Sequence, residues 1–228
     1  MAVLLRSWKG NMKKSGKYKS SGIESEFEPD SRGKVLKNLL GIKTQSGLDR
    51  VELIAFQQAE DKFQKLVYKD KHITAKNICN MHKIWLGNIY EWAGKYRVVD
   101  LEKKGIRFAH AQYIPALMDD FEKNFLMKHT PCSFASKERF IEALAEVHVE
   151  LVIIHPFREG NGRVSRAVAT LMALQAGLPP LDFTPIEKGA KKQGYFEAVQ
   201  AGWKKNDYEP MKNIFREITE RGLSRSQG

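Results

Sequence analysis

Apolar residues recur every three or four positions over most of the chain from Gly33 onward. This spacing is typical of amphipathic helices that bury one face. It predicts helices over 48–66, 74–89, 111–129, 137–154, 161–176, 189–203 and 208–221, with a further helical segment over Val35–Leu40. Because no internal repeat or low-complexity block interrupts the series, the pattern predicts a single all-α bundle.

One segment departs from the helical spacing. Residues 96–101 and 105–108 are rich in strand-forming residues, and the Lys103-Lys104-Gly105 stretch between them is typical of a turn. The pattern therefore predicts a small β-hairpin attached to the bundle. A hairpin that only covers the core is the alternative to one with a part in binding.

Length and composition set the class of protein. The 228 residues are enough for one domain, and we predict a basic tail at 1–19, a domain at 20–222 and a short tail at 223–228. No apolar run reaches the roughly 18 residues of a membrane span, and the N-terminus is a poor secretory signal. The two cysteines form no CxxC pair, so no disulfide framework is expected and we expect a cytoplasmic protein. Because no apolar run is long enough to span a membrane, we expect no membrane partner.

The chain is basic, with 38 Lys and Arg against 27 Asp and Glu, which gives a formal charge of +11. A basic surface raises the affinity for polyanions in general. The excess is scattered along the chain, however, and forms no single basic stripe. We therefore expect attraction of an anionic ligand or an acidic partner, and no direct sequence-specific contact with nucleic acid.

The candidate chemistry is concentrated between His155 and Arg166. Pro156 ends the preceding helical pattern, Gly160-Asn161-Gly162 predicts a turn, and helical spacing resumes at Val164. Glycines allow neighbouring N–H groups to converge on one point, and the following helix adds its positive N-terminal end. Such a loop is typical of a site for phosphate.

Charged side chains complete this stretch. Arg163 and Arg166 project from one face of the first helical turn, where a bound anion would offset the cost of placing cations there. Glu159 is a hard oxygen ligand that suits Mg²⁺ beside phosphates. His155 can take a proton from a hydroxyl, because an unperturbed imidazole has a pKa near ~6.5. Together these residues indicate phosphoryl or nucleotidyl transfer to a hydroxyl.

The stretch resembles the signature of the Fic family, His-x-Phe-x-(Asp/Glu)-Gly-Asn-Gly-Arg-x-x-Arg. All of the specified positions are met, by His155, Phe157, Glu159, Gly160, Asn161, Gly162, Arg163 and Arg166. The resemblance implies a Fic-type helical bundle with a small β-hairpin flap. It also implies transfer of AMP from ATP to a Tyr, Thr or Ser hydroxyl of a target protein, with release of pyrophosphate.

The resemblance further implies a role for the first half of the motif. His155 would be the general base that acts on the target hydroxyl. Phe157 would be a buried wedge that fixes the loop. Glu159 would hold Mg²⁺ between the α- and β-phosphates of ATP.

The resemblance also assigns contacts with the three phosphates of ATP to residues in the second half of the motif. Asn161, with the N–H groups around Gly160 and Gly162, would stabilise the charge that builds on the α-phosphate. Arg163 would bind the β-phosphate and Arg166 the γ-phosphate. These assignments make Asn161 and Arg163 candidate catalytic residues beside His155.

Two further regions are similar to Fic proteins. The hairpin region would clamp a segment of the target by strand addition, with Val99 and Ile106 as the candidate docking residues. Tyr195, in a stretch similar to a family pattern that follows the anion loop, is the candidate contact for adenine; ordinary core packing is its alternative.

The resemblance also bears on regulation. Ser20 and Glu24 have the spacing of a family element whose glutamate pairs with the second motif arginine, here Arg166. However, Ser25 stands where that element has Gly or Asn. Inhibition by a small antitoxin, as in short stand-alone Fic toxins, is the alternative.

The residues alone leave other activities open. Transfer of UMP, phosphocholine or a phosphoryl group fits the same loop chemistry. A module that binds nucleotide without catalysis is a third hypothesis, which the presence of both His155 and Glu159 opposes.

Overall fold

A computed structural model describes residues 23–66, 70–103, 106–133 and 136–226. The helices are α1 (Gln45–Leu66), α2 (Ala75–Leu86), α3 (Ile114–Phe121), α4 (Lys137–Ile154), α5 (Asn161–Gln175), α6 (Gly189–Lys205) and α7 (Glu209–Ser226). A π-helical turn, Glu122–Leu126, and a short segment, Met127–His129, continue α3. Short 3₁₀ helices lie at Ile23–Ser25, Ala111–Tyr113 and Thr184–Ile186. The expectation of a mostly helical bundle is confirmed.

Helix α4 lies at the centre of the bundle. It begins at Lys137 because the Ser136 hydroxyl accepts a hydrogen bond from the Arg139 N–H. Apolar side chains surround most of its circumference, and α3, α5, α6 and α7 pack against it. Helix α1 packs on α2 and also reaches α5. The end of α4 and the start of α5 therefore meet inside the bundle, where the packing of several helices holds the loop between them.

The predicted helix at Val35–Leu40 is wrong. This segment has turns and an isolated bridge from Phe27 to Leu36, and the side chain of Asn38 supplies much of its hydrogen bonding. The Asn38 amide donates to the carbonyls of Leu36 and Ile42 and accepts from the N–H groups of Leu40 and Ile42. A side chain that bonds nearby backbone groups competes with helix formation, which is the physical reason for the error.

A short strand pair occupies the region of the predicted hairpin. Strand β1 (Glu102–Lys103) pairs antiparallel with β2 (Ile106–Arg107), with Glu102 opposite Arg107 and Lys103 opposite Ile106. The predicted strands over 96–101 and 105–108 are longer than those observed. Ahead of β1, the Leu101 carbonyl still accepts the Phe108 N–H, but the Arg97 N–H donates to the Pro156 carbonyl and the Val98 N–H to the Glu24 carboxylate.

Predictions for the two ends of the chain have different outcomes. The proposed basic tail at 1–19, and Ser20 with it, lies outside the described residues. At the other end, α7 continues to Ser226 and so enters the segment that was expected to be a tail. Within the described ranges, no helix combines the length and apolar character needed to cross a bilayer.

Candidate active site

The loop between α4 and α5 is shaped by unusual backbone conformations. Helix α4 ends because His155 adopts a left-handed conformation, with φ 54° and ψ 58°, and Pro156 follows it. Gly160 is also left-handed, with φ 81°, and a Cβ there would lie 2.6 Å from Trp85 Cζ3. The Val164 N–H makes the first bond of α5, to the Gly160 carbonyl, at 3.0 Å. The N–H groups that precede it are therefore not used within the helix.

The ring of His155 is oriented by its neighbours. Its Nδ1 donates to the Val152 carbonyl at 3.1 Å, so the neutral imidazole keeps its lone pair on Nε2. The ring stacks on Phe108 with 3.7 Å between ring centroids. The His155 carbonyl accepts a hydrogen bond of 2.7 Å from Arg97 Nε. Both the ring and the backbone of this residue are thus held in place, with the proton-accepting nitrogen defined.

A cavity of about 1390 Å³ adjoins this loop. Its wall brings together the predicted site residues His155, Gly162, Arg163, Arg166 and Tyr195. The rest of the wall combines cations, carboxylates and apolar groups, including Lys188, Lys192, Asp49, Asp120, Glu187, Leu117, Val152, Phe196, Val199 and Trp203. Such a cavity offers a charged region for phosphates and an apolar region for a flat ring.

Both motif arginines have carboxylate partners within the chain. Arg163 Nη2 donates to Glu52 Oε2, and its guanidinium carbon lies 4.4 Å from the centroid of the Trp85 ring. Arg166 Nη1 donates to Glu187 Oε1 at 3.1 Å. The two side chains remain 26% and 27% exposed, respectively, so each can still be reached from the cavity.

Glu159 carries an exposed carboxylate in the loop. Its Oε1 accepts the Gly160 N–H at 2.9 Å, and its carbonyl accepts a hydrogen bond from His82 Nε2 at 3.1 Å. The described residues contain no cluster of three or more His, Cys, Asp or Glu side chains arranged for a metal. One exposed carboxylate fits Mg²⁺, which takes its other ligands from phosphate oxygens and water.

Comparison with known proteins identifies the family. A profile of the Fic/DOC family matches residues 72–173. The probable protein adenylyltransferase Fic of Salmonella typhimurium is 32% identical over 149 residues, which span 63% of this chain and 70% of that protein. The chain belongs to the Fic/DOC family.

Two further proteins are similar to this Fic/DOC chain. The protein adenylyltransferase VbhT of Bartonella schoenbuchensis is 32% identical over 154 residues, which are 68% of this chain and 32% of VbhT. This chain therefore spans only about a third of VbhT. The crystal structure of BepC from Bartonella tribocorum, with bound AMPPNP, has a TM-score of 0.68 and 25% identity, and it covers 81% of this chain and 92% of that one. The helical architecture is thus that of the Fic fold.

In this Fic/DOC chain, the Asn161 side chain is engaged within the loop. Its Oδ1 accepts the Phe157 N–H at 2.8 Å, and its Nδ2 donates to the Phe157 carbonyl at 2.7 Å. Asn161 is only 3% exposed and Phe157 is fully buried. The expected direct contact of the Asn161 side chain with the α-phosphate is therefore revised: this side chain positions the loop, and backbone N–H groups are the better candidates for phosphate donors.

Glu24 does not contact Arg166, so the expected inhibitory pair is wrong for this structure. The Glu24 carboxylate is 5% exposed and accepts the Val98 N–H at 2.8 Å. Its carbonyl accepts from Arg158 Nε, also at 2.8 Å. Arg166 instead pairs with Glu187, which lies just after the 3₁₀ helix at Thr184–Ile186. Glu24 thus binds Val98, ahead of the hairpin, and Arg158 in the loop.

The expected docking residue Val99 is buried, with 6% exposure, and its carbonyl accepts a hydrogen bond from Arg97 Nη1. Its side chain therefore cannot contact a target, and that expectation is corrected. The neighbouring Val98 is 68% exposed and presents the outward surface. The backbone of Ile106 lies in β2, opposite Lys103.

Tyr195 lines the cavity and is tied to the core. Its hydroxyl donates to His148 Nε2 at 2.9 Å, while His148 Nδ1 donates to the Ser165 carbonyl at 3.3 Å. Burial raises the pKa of Tyr195 to about 12, so the hydroxyl stays protonated at neutral pH. Tyr195 therefore presents a neutral aromatic side chain in a fixed position on the cavity wall.

Several functional partners were not predicted from the sequence. Glu52 pairs with Arg163, Glu187 pairs with Arg166, and Arg97 binds the carbonyl of His155. Arg97 stands inside a stretch that resembles the family's flap region, which was the one available signal. Glu52 is a single carboxylate on an amphipathic helix, and nothing in its local pattern distinguishes it.

Because two histidines are buried, we expect the free energy of unfolding to fall in acid. Burial lowers the pKa of His82 and of His148 to about 4, and both rings already use one nitrogen as an acceptor. Between the unfolded pKa of about 6.5 and this value, only the unfolded chain binds the protons. The free energy of unfolding should therefore fall by up to about 1.4 kcal/mol per histidine for each pH unit below 6.5. Urea unfolding at pH 7 and pH 5 measures it.

Two matched variants test whether this pH dependence of stability comes from the buried histidine rings. His148→Gln should flatten the dependence of the unfolding free energy on pH by about one proton. His72→Gln changes an exposed ring and is the matched control for a histidine substitution at the surface. Equal stability of the parent chain at pH 7 and pH 5 would contradict the prediction.

The two glycines of the loop should respond differently to alanine. Gly160→Ala places a Cβ against Trp85 in a left-handed backbone, which we expect to cost about 2 kcal/mol or more of stability. A Cβ on Gly162 meets no atom within 4 Å, and Gly162 lines the cavity. Gly162→Ala should therefore keep the parent melting temperature and weaken ATP binding. Calorimetry of unfolding and of ATP binding distinguishes the two variants. A loss of stability in Gly162→Ala with unchanged ATP affinity would contradict this interpretation.

Proposed function

We propose that this chain is a protein adenylyltransferase, which transfers AMP from ATP to a Tyr, Thr or Ser hydroxyl of a target protein and releases pyrophosphate. The observation that carries the proposal is the placement of His155 on the same cavity wall as Arg163 and Arg166. A proton acceptor and two cations for phosphate are the groups that this reaction needs. The relatives named adenylyltransferases in Salmonella and Bartonella support the same activity.

In the proposed mechanism, His155 Nε2 takes the proton from the target hydroxyl, because Nδ1 is held as a donor by the Val152 carbonyl. The hydroxyl oxygen attacks the α-phosphorus of ATP, and the bond to the bridging oxygen of pyrophosphate breaks. Arg163 and Arg166 bind the leaving phosphates and stabilise their negative charge. Backbone N–H groups at the start of α5 face the anion.

Mg²⁺ is the metal we propose, with Glu159 as its protein ligand. When bound, it would neutralise charge on the phosphates. The AMPPNP in the BepC crystal structure shows that a similar fold holds an ATP analogue, which supports ATP as the substrate here. Tyr195, with its fixed hydroxyl, is the proposed contact for the adenine ring.

The target would dock at the hairpin. The edge formed by β1 and β2 is the proposed site of strand addition, with Ile106 on that edge and Val98 exposed beside it. A small antitoxin remains our proposal for control of the enzyme, because Glu24 is engaged with Val98 instead of Arg166.

Labelled ATP tests the proposed function. With Mg²⁺ and a lysate, the chain should transfer label from α-labelled ATP to a protein that stays unlabelled with His155→Asn, and it should add no label from γ-labelled ATP beyond the amount seen with that variant. Mass spectrometry should find an addition of about 329 Da, which follows from the formula of an adenylyl group. Label from the γ-phosphate would establish phosphoryl transfer instead, and an adduct of a different mass would establish a different nucleotide or phosphocholine donor. ATP binding without any adduct would establish a module without catalysis.

A further inference from the structure

Glu52 is a buried carboxylate beside the phosphate-binding region. It lies on α1, is 3% exposed, and both of its carboxylate oxygens have donors. The Tyr90 hydroxyl donates to Oε1 at 2.6 Å, and Arg163 Nη2 donates to Oε2. A buried carboxylate with both oxygens bonded holds its partners in one geometry, because any other arrangement leaves a charge without compensation.

The opposite face of Arg163 is also held. The guanidinium carbon lies 4.4 Å from the centroid of the Trp85 ring, which is itself only 1% exposed. Trp85 Nε1 donates to the Glu52 carbonyl at 2.8 Å, so the carboxylate and the ring are fixed relative to each other. We call Glu52, Trp85 and Tyr90 the arginine seat. Within it, Arg163 is confined by an ion pair and a cation–π contact.

A guanidinium has five N–H donors in a rigid plane, and the hydrogen bond to Glu52 uses Nη2. Arg163 lines the cavity and is 26% exposed, so other donors of the group remain accessible from that side. Fixing one edge of the plane therefore orients the rest toward a ligand before it arrives. This lowers the entropy lost when an anion binds.

Glu52 also lies outside residues 72–173, the part of the chain that matches the Fic/DOC profile. Trp85, Tyr90 and Arg163 all lie inside that part. Helix α1 packs on α2 and α5, so it brings one carboxylate from beyond the matched region to the first motif arginine.

We propose that Glu52 is a positioning residue that acts through Arg163 to raise the affinity of the cavity for the phosphates of ATP. The identity of the ligand rests on the proposed function. The opposite role, in which Glu52 neutralises Arg163 and competes with phosphate, makes the opposite prediction. Under that role, removal of the charge would tighten ATP binding.

The test is Glu52→Gln, which keeps the size of the side chain and removes its charge. Calorimetric titration with MgATP should show affinity weaker on the order of tenfold, the change that corresponds to about 1.4 kcal/mol. Adenosine carries no phosphate, so its affinity should stay at the parent value. Glu60→Gln, on the exposed face of the same helix, is the matched control and should change neither affinity.

A double-mutant cycle shows whether Glu52 acts through Arg163. In an Arg163→Met background, Glu52→Gln should cause no further loss of ATP affinity. Additive losses in the cycle, an equal loss for ATP and adenosine, or tighter ATP binding would each overturn the proposal. If Glu52→Gln does not fold, Tyr90→Phe removes one donor from the seat, and it should weaken ATP and spare adenosine; unchanged ATP affinity there would overturn the proposal.

Binding is measured without a target protein, so this test is independent of transfer. A parent chain that binds ATP, responds to Glu52→Gln as expected, and yields no AMP adduct would refute the proposed function and leave the role of Glu52 supported. A chain that transfers AMP but shows no selective effect of Glu52→Gln would do the reverse.

Discussion

Replacing His155 with asparagine should lower AMP transfer by about 10³-fold and leave ATP affinity near the parent value. Asparagine tolerates the left-handed backbone observed at this position, so the loop should keep its shape. An amide cannot accept the proton of the target hydroxyl at neutral pH. The N–H groups at the start of α5 and the motif arginines that we propose as phosphate contacts are untouched. Single-turnover labelling and calorimetric titration with ATP give the two quantities.

The control for this variant is His72→Asn, which changes an exposed histidine away from the loop and should transfer AMP at the parent rate. Transfer by His155→Asn within about tenfold of the parent would exclude His155 as the general base. A parallel loss of ATP binding would instead show that the substitution had disturbed the anion site.

Arg97→Met should reduce the free energy of unfolding by about 3 kcal/mol or more. Arg97 is 1% exposed, and its guanidinium donates to the carbonyls of His155, Val99 and Ala109. Burial lowers the pKa of Arg97 to about 10, so the group is still charged at neutral pH. Methionine fills similar space but leaves these carbonyls without that donor. Denaturant unfolding at neutral pH measures the loss.

Two further variants serve as comparisons for the loss of stability in Arg97→Met. Arg97→Lys keeps a charge but lacks the planar fork, so we expect an intermediate loss of stability. Arg50→Met removes an exposed arginine on α1 and should change stability by less than about 0.5 kcal/mol. A loss below about 1 kcal/mol for Arg97→Met would mean that other groups or water satisfy the carbonyls.

The loop could be predicted from sequence because its signals are local. Pro156 marks the end of a helix, and glycines at Gly160 and Gly162 mark a tight turn before the next one. The structure places the helix ends at Ile154 and Asn161, and the Gly160 backbone is left-handed as a glycine allows. Apolar spacing likewise located the long helices, since each buries one face against α4 or its neighbours.

Local pattern was insufficient where a side chain replaced backbone bonding. Leu39 and Leu40 have helical apolar spacing from Val35, yet they are 58% and 50% exposed. Asn38 there bonds to four backbone groups of its neighbours, as a turn does. Val99 was misplaced for a related reason: alternation suggested a regular strand, whereas Arg97 draws its carbonyl inward.

The partners of the motif residues are distant in sequence. Glu52 lies 111 positions from Arg163, and Arg97 lies 58 positions from His155. A single sequence carries no record of which of many charged residues on polar helix faces will meet after folding. Predicting Glu52 or Glu187 would require knowing how α1 and the segment before α6 pack against α5.

The wall of the cavity is formed partly by residues inside the region that matches the Fic/DOC family and partly by residues outside it. His155, Gly162 and the motif arginines lie within residues 72–173, while Leu53 on α1 and Phe196 on α6 line the same space from outside it. The residues proposed for AMP transfer and the proposed nucleobase contact on α6 are therefore encoded by separate stretches of one gene. We therefore expect laboratory evolution directed at α6 alone to alter which nucleobase is accepted and to leave the transfer step intact.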